Sequence, residues 1–108
     1  EDSSKVGYLG VKAADLTSEA IQMYNMPAGA FLTKVTEGGA ADKAGIKKGD
    51  IIVKLDGQKV SGKDDLVSKL QYYESGETID VDIARANSGE YKEQTVKVTL
   101  GSKPASEN

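Results

Sequence analysis

Ala41-Asp42-Lys43-Ala44-Gly45-Ile46-Lys47-Lys48-Gly49-Asp50-Ile51-Ile52-Val53-Lys54-Leu55-Asp56-Gly57 sets the architecture of this chain. It reads as a helical turn, a stop, a second turn, a core strand and a reversal, in that order. Ala40 to Ala44 makes a short helical turn, and Gly45 is its C-terminal cap. Lys47-Lys48-Gly49-Asp50 turns the chain again. Ile51 to Leu55 is the most apolar run in the sequence and is expected to be a central strand. Asp56-Gly57 is a strong hairpin signal, and Gln58-Lys59-Val60 returns briefly.

Upstream of that stretch, Ala30 to Val35 is a strand, introduced by Ala28-Gly29 and broken by Gly38-Gly39. Before it, Asp15 to Pro27 holds a short helix, capped by Thr17, with Glu19 near its positive end. Asn25 and Pro27 end it. Leu16, Ala20, Ile21 and Tyr24 share one face, expected to be core. Downstream, Ser61 is expected to cap a helix from Lys63 to Tyr73, with Asp64 completing a capping-box-like start. Leu66, Leu70 and Tyr73 form its apolar stripe, and Val67 sits beside it. Ser75-Gly76 ends that helix. Thr78 to Ala84 alternates, with Ile79, Val81 and Ile83 opposite Asp80 and Asp82. After a turn at Asn87-Ser88-Gly89-Glu90, Val96, Val98 and Leu100 alternate with Lys97 and Thr99. The expected fold is mainly β with two helices, α+β by content: a small twisted sandwich capped by helices.

At 108 residues the chain is one domain. That length buries roughly two-thirds of the unfolded surface, so folding needs no metal or disulfide. A composition of 38% hydrophobic and 29% charged residues is that of a soluble globular domain. A net charge of −3 argues against general nucleic-acid binding. No apolar run approaches the ~18 residues of a membrane span. There is no Cys and no His, which excludes a Cys nucleophile, a Ser-His triad and a Cys/His zinc site within the chain. No metal or other cofactor is expected. Serines such as Ser61 and Ser68 lack a base to activate them. The carboxylate pairs Asp80/Asp82 and Asp64/Asp65, the remaining catalytic option, read as solvated surface.

Gly7-Tyr8-Leu9-Gly10-Val11 precedes an extended segment, Lys12-Ala13-Ala14. Glycine can reach backbone angles closed to other residues. A tight loop there can turn the amides of Leu9, Gly10 and Val11 toward one point, a concavity suited to a peptide's terminal carboxylate. A glycine-rich approach to an ordinary strand is the alternative reading, and these five residues do not separate the two.

The stretch from Ala41 to Gly57 resembles A-x-x-A-G-[IL]-x-x-G-D-x-I…[NDG]-G of bacterial PDZ domains, and with the upstream loop the resemblance runs from about Val6 to Gly101. The subfamily it resembles is the PDZ domain of HtrA-type (Deg) serine proteases, whose loop pattern Y-[IL]-G-[IV] is matched at Tyr8, Leu9, Gly10 and Val11. The short helix before the second strand matches at Leu16-Thr17-Ser18-Glu19-Ala20. Gly39-Ala40-Ala41 departs from the usual S-P-A. The resemblance implies a PDZ-like, partly open barrel of 5–6 strands in circularly permuted bacterial order. It divides the chain into a linker (1–5), a PDZ domain (6–101) and a polar tail (102–108).

It further implies a non-enzymatic module that binds C-termini of peptides or unfolded proteins by β-augmentation. The parent would be a trypsin-like endopeptidase of the bacterial cell envelope, membrane-anchored or secreted and oligomeric. Its protease domain would be a second partner, with nucleic acid and membrane excluded and the isolated domain monomeric. Tyr8, Leu9, Gly10 and Val11 would hold the carboxylate, and Lys12, Ala13 and Ala14 the peptide backbone. Lys63, Val67 and Leu70 would line the helix side, with Lys63 near the ligand's third-last residue. Leu70 could equally face the core. Period-two alternation would point Leu9, Val11 and Ala13 to one side. Lys5 could add positive charge near the carboxylate. A PDZ domain from a site-2 protease, a C-terminal-processing protease or a secretion component is the alternative parent.

Overall fold

In the computed structural model, which describes residues 7–101, the elements follow the expected order. They are β1 (Val11–Asp15), α1 (Ser18–Tyr24), β2 (Ala30–Val35), α2 (Ala40–Lys43) and β3 (Ile51–Leu55). Then come β4 (Gln58–Lys59), α3 (Lys63–Leu70), β5 (Thr78–Asn87) and β6 (Glu90–Thr99). The strands form one antiparallel sheet in the order β1-β2-β3-β5-β6, with β4 paired to β3 alone. Tyr8 bridges to Gly101, so the segment leading into one edge strand touches the end of the strand at the opposite edge. That contact curls the open sheet into a partly closed barrel.

The apolar run Ile51-Ile52-Val53 at the start of β3 is continuous because the strand is covered there on both faces. Ile52 and Leu55 enter the main core with Leu32, Val60, Leu66 and Val98. Ile51 and Val53 point the other way, into a smaller cluster with Ala84, against which Leu16, Met26, Phe31 and Tyr91 pack. Around β3 the local signals hold. After α2, Gly45 takes φ +92°. Its N–H donates to the Asp42 carbonyl and that of Ile46 to the Ala41 carbonyl. This is a Schellman stop, sealed by burial of Ile46. Asp56-Gly57 reverses with both residues at positive φ, the primed hairpin turn.

Several expectations are corrected. The turn at Ala40 closes into a helix of its own, so there are three helices, not two. The helix begun at Lys63 ends at Leu70 rather than Tyr73, and residues 71–73 form a turn. Its N-cap is Gly62, not Ser61, and the box-like partner is Asp65, not Asp64: the Ser61 N–H donates to Asp65 Oδ2 at 2.9 Å. Finally, α1 buries no residue, and Tyr24 is 62% exposed. The α1 stripe is therefore not core, because Leu16 alone of its stripe packs on the small second cluster. β5 also runs past Ala84 to Asn87, carried by its long ladder with β6.

The structure's buried charge is Asp50, among the described residues. Arg85 grips it with Nε to Oδ1 at 2.9 Å and Nη2 to Oδ2 at 2.7 Å. Asp50 Oδ2 also accepts the Lys47 N–H at 2.9 Å, and Arg85 donates to the Gly45 carbonyl. This cluster ties the turn after α2 to β5. It holds the Arg85 guanidinium pKa above its ordinary value, through the hydrogen bonds Arg85 donates to Asp50. Asp50→Ala would leave a guanidinium and an amide without their acceptor, and is expected to cost about 2–4 kcal/mol in urea unfolding. Arg85→Lys alone should also lower stability, since an ammonium cannot supply the two-pronged contact.

Candidate functional site

β1 is an edge strand among the described residues: β2 lies on one side of it, and no described strand lies on the other. The loop before it is fixed through its carbonyls. Leu9 C=O accepts the Ala41 N–H at 2.9 Å, and Gly10 C=O accepts the Thr36 N–H at 2.8 Å. The Gly7 N–H donates to the Tyr73 carbonyl at 2.7 Å, and the Tyr8 N–H to Gly101. Gly10 has φ +78°, and a Cβ on it would stand 3.3 Å from the Gly39 Cα. A side chain there would be strained in backbone and crowded in space.

With their carbonyls turned inward, the amides of Leu9 and Gly10 have no hydrogen-bond partner among the described residues. Both residues are buried. The Gly10–Thr36 bond also sets the phase of the ladder. Val11 and Val35 become a non-hydrogen-bonded pair, so the N–H and C=O of Val11 point to the free edge. Alternation carries the same orientation to Ala13.

Between this edge and α3 runs an open groove of about 1180 Å³. It brings together Tyr8, Leu9, Gly10, Val11, Lys12 and Ala13 from one side, and Lys63, Val67 and Leu70 from the other. Ala14, opposite Phe31 in the ladder, does not line it. Val67 is 49% exposed there, an uncovered apolar wall. Leu70 resolves its ambiguity by doing both: it packs against the core and lines the groove. Leu9, Val11 and Ala13 all reach the main core cluster, but strand alternation does not link Leu9 to the others, because Gly10 leaves the extended region. The expectation for Lys5 falls outside the described residues.

Sequence reasoning missed other lining residues: Leu66, Ser68, Gln71, Tyr72 and Thr33. Helical periodicity places Leu66 on the apolar stripe, and it is buried in the core as well as lining the groove. Tyr72 follows the helix and is outside any such pattern, and Thr33 arrives through a bulge in β2 opposite Lys12/Ala13. The most consequential omission is Asp15. Its Oδ1 accepts the Lys63 N–H at 2.7 Å, so the edge strand itself caps the groove helix. Tyr73 fastens the other end. Its carbonyl receives Gly7, and its hydroxyl donates to Asp56 Oδ2 at 3.0 Å. Burial, then that hydrogen bond, pushes the Tyr73 pKa above its ordinary value.

The carboxylate pairs lie toward the surface, and Asp80, Asp82 and Asp65 have partners. Asp80 meets Lys97 at 3.0 Å, and Asp82 accepts from Thr95. Asp65, in the first turn of α3, accepts from Lys69 at 2.8 Å and from Ser61. Those contacts, Lys69 foremost, hold its carboxyl below the usual range. Among the described residues no cluster of His, Cys, Asp or Glu could hold a metal ion.

The PDZ domain family model matches residues 7–100. A probable periplasmic serine endoprotease, DegP-like, of Bartonella henselae is 35% identical over 94% of this chain, which spans 20% of that protein. Among solved structures, the HtrA-type protease AlgW with a decapeptide superposes at TM-score 0.78 with 24% identity, over 93% of this chain and 30% of that one. The HtrA3 PDZ domain bound to a phage-derived ligand, FGRWV, superposes at TM-score 0.68 with 18% identity, over 87% of this chain and 84% of that one. The chain thus spans about a fifth of its curated relative and most of the isolated domain.

Two outcomes follow for the groove helix. Asp15→Ala should destabilise the domain by about 1 kcal/mol and raise amide exchange at Lys63 to Asp65 before other sites. Because folding lowers the Asp65 pKa, its contribution is present above the unfolded carboxyl's pKa and is lost as pH falls through the folded value. Asp65→Asn should therefore flatten the acid limb of the stability profile, measured by thermal melts from neutral to acid pH.

Proposed function

The chain belongs to the PDZ domain family, and on that premise we propose that it captures the C-terminal ends of peptides and unfolded proteins by adding them to β1 as a further strand. The observation that carries this reading is a buried loop with unpartnered Leu9 and Gly10 amides, at one end of an apolar groove, beside an open strand edge. A buried amide without an acceptor is costly, and an anion supplies the acceptor. A terminal carboxylate is the anion that arrives already attached to a strand.

Tyr8, Leu9, Gly10 and Val11 receive the carboxylate in this reading. The outward N–H and C=O groups of Val11 and Ala13 pair with the ligand backbone. Lys12 and Ala14 keep that strand in register with β2. The last side chain sits between Leu9, Val11, Val67 and Leu70, and Lys63 lies further along, near the third-last residue. An apolar last residue follows from those walls, and the ligand named with the HtrA3 domain ends in valine.

The parent we infer is a serine endoprotease of the HtrA type in the bacterial cell envelope, in line with the periplasmic, DegP-like relative. This domain would recognise substrate or regulate the protease domain, its second partner. It is a binding module rather than an enzyme and needs no cofactor, with linker and tail on either side of residues 6–101.

One apolar side chain contributes about 1.5–3 kcal/mol and each hydrogen bond to the carboxylate about 1.5–3, less the ordering of the peptide. A short free peptide should therefore bind at about 1–100 μM. Free-acid peptides ending in Val, Leu, Ile, Phe or Ala should shift the amides of Tyr8 to Ala14 and the signals of Val67 and Leu70 in an NMR titration, and C-terminal amides should not. Gly10→Ala should weaken the free acid at least about tenfold while the fold persists, since it strains the loop that aims the amides. Equal binding of acid and amide would sink the proposal.

A further inference from the structure

Lys12 and Lys34 face each other directly across the β1–β2 ladder. Both are exposed, and neither forms an ion pair among the described residues. Like charges placed opposite each other destabilise a sheet, so this pair is a local cost in a protein whose net charge is −3. The bulge beside it keeps the arrangement in place. The register jumps from Lys12↔Lys34 to Ala13↔Leu32, so Leu32 and Val35 both turn to the core while Lys34 stays outside with Lys12. Lys12 is also a groove-lining residue, as is Lys63, and among the described residues no Asp or Glu lines the groove.

The ladder geometry says which ligand residue meets this pair. Val11 and Ala13 offer their backbone groups to the free edge, and Lys12 turns its own toward β2. A third strand whose last residue lies opposite Val11 places its penultimate residue opposite Lys12. Side chains opposite each other in a ladder share a face. The penultimate side chain would therefore project from the outer face of the sheet, in a row with Lys12 and Lys34. It would not enter the apolar groove.

We propose that this domain selects C-termini with an acidic penultimate residue, which the Lys12–Lys34 pair recognises from the outer face of the sheet. This rests on the strand-addition reading above. It adds a ligand class to it: an apolar last residue preceded by Asp or Glu. Exposed ion pairs are individually weak, so the selection is a bias that grows at low salt and fades at high salt.

The test uses fluorescence anisotropy with six matched peptides, each ending in valine and carrying Glu, Gln or Lys at the penultimate position, as free acid or as amide. The Glu free acid is expected to bind about three- to fivefold tighter than the Gln free acid, and Lys weaker than Gln, at low ionic strength. The spread should shrink when salt is raised. Lys12→Glu should invert the order, and Lys34→Glu, outside the groove, should narrow it. If all three free acids bind alike and all three amides fail, the strand-addition reading survives and acidic selection is overturned. If acids and amides behave alike, both are overturned. An inverted order in Lys12→Glu excludes a generic preference for acidic peptides.

Discussion

The groove depends on which side of the Leu9–Gly10 backbone is bonded to the protein itself. Two hydrogen bonds, from Ala41 to Leu9 and from Thr36 to Gly10, hold the carbonyls against the segment around α2. Once they are fixed, each planar peptide unit turns the amide of the following residue, Gly10 and Val11, to the opposite side, and the Gly101 N–H bonded to the Tyr8 carbonyl does the same for the Leu9 amide. A loop with the same residues and inverted peptides would present oxygen to the groove and repel a carboxylate. The positive φ of Gly10 permits this orientation, and the close approach of Gly39 locks it.

That arrangement is costly and has to be held by the frame around it. An exposed edge, two unpartnered buried amides and a half-exposed Val67 all work against folding. The offset comes from β3, covered on both faces, and from the Asp50–Arg85 cluster that joins the α2 turn to β5. The same α2 segment supplies Ala41 to the Leu9 carbonyl. A charged cluster on one side of the molecule therefore steadies the loop on another, through one short helix. Asp15 does the equivalent service for α3, so both walls of the groove are referenced to β1.

Much of this was legible in the sequence because it rests on local signals. Gly45, Asp56-Gly57, Thr17 and the alternation of Ile79, Val81 and Ile83 each act within a few residues, and each reads correctly. The errors arise where distant residues intervene. Ser61 reads as a cap because Asp64 follows it at capping-box spacing, but Asp15, 48 positions away in sequence from Lys63, supplies the acceptor. The α1 stripe looked like core because periodicity reports that a face is apolar, not that anything covers it. Arg85 was invisible beside the motif it completes, since nothing local marks it as the partner of Asp50. In the site, the loop and the helix face were legible, and Thr33 was not, because a bulge is a property of two strands and not of one.

That bulge has a further consequence for how an added strand would be read. A regular ladder would have kept strict alternation along β2 and could not have placed both Leu32 and Val35 in the core. By absorbing one extra residue, β2 keeps two apolar anchors beneath β1 and still sets Lys34 beside Lys12 on the outer face. The two faces of the β1 edge therefore differ in chemistry. Toward α3 it is apolar, with Val11 and Ala13 facing Val67 and Leu70; away from α3 it is cationic. A strand bound there carries alternate side chains into each environment, so one short segment can be read twice, once by burial and once by charge. In the proposed complex, burial would set whether the segment stays, and the weaker charge reading would sort among those that do.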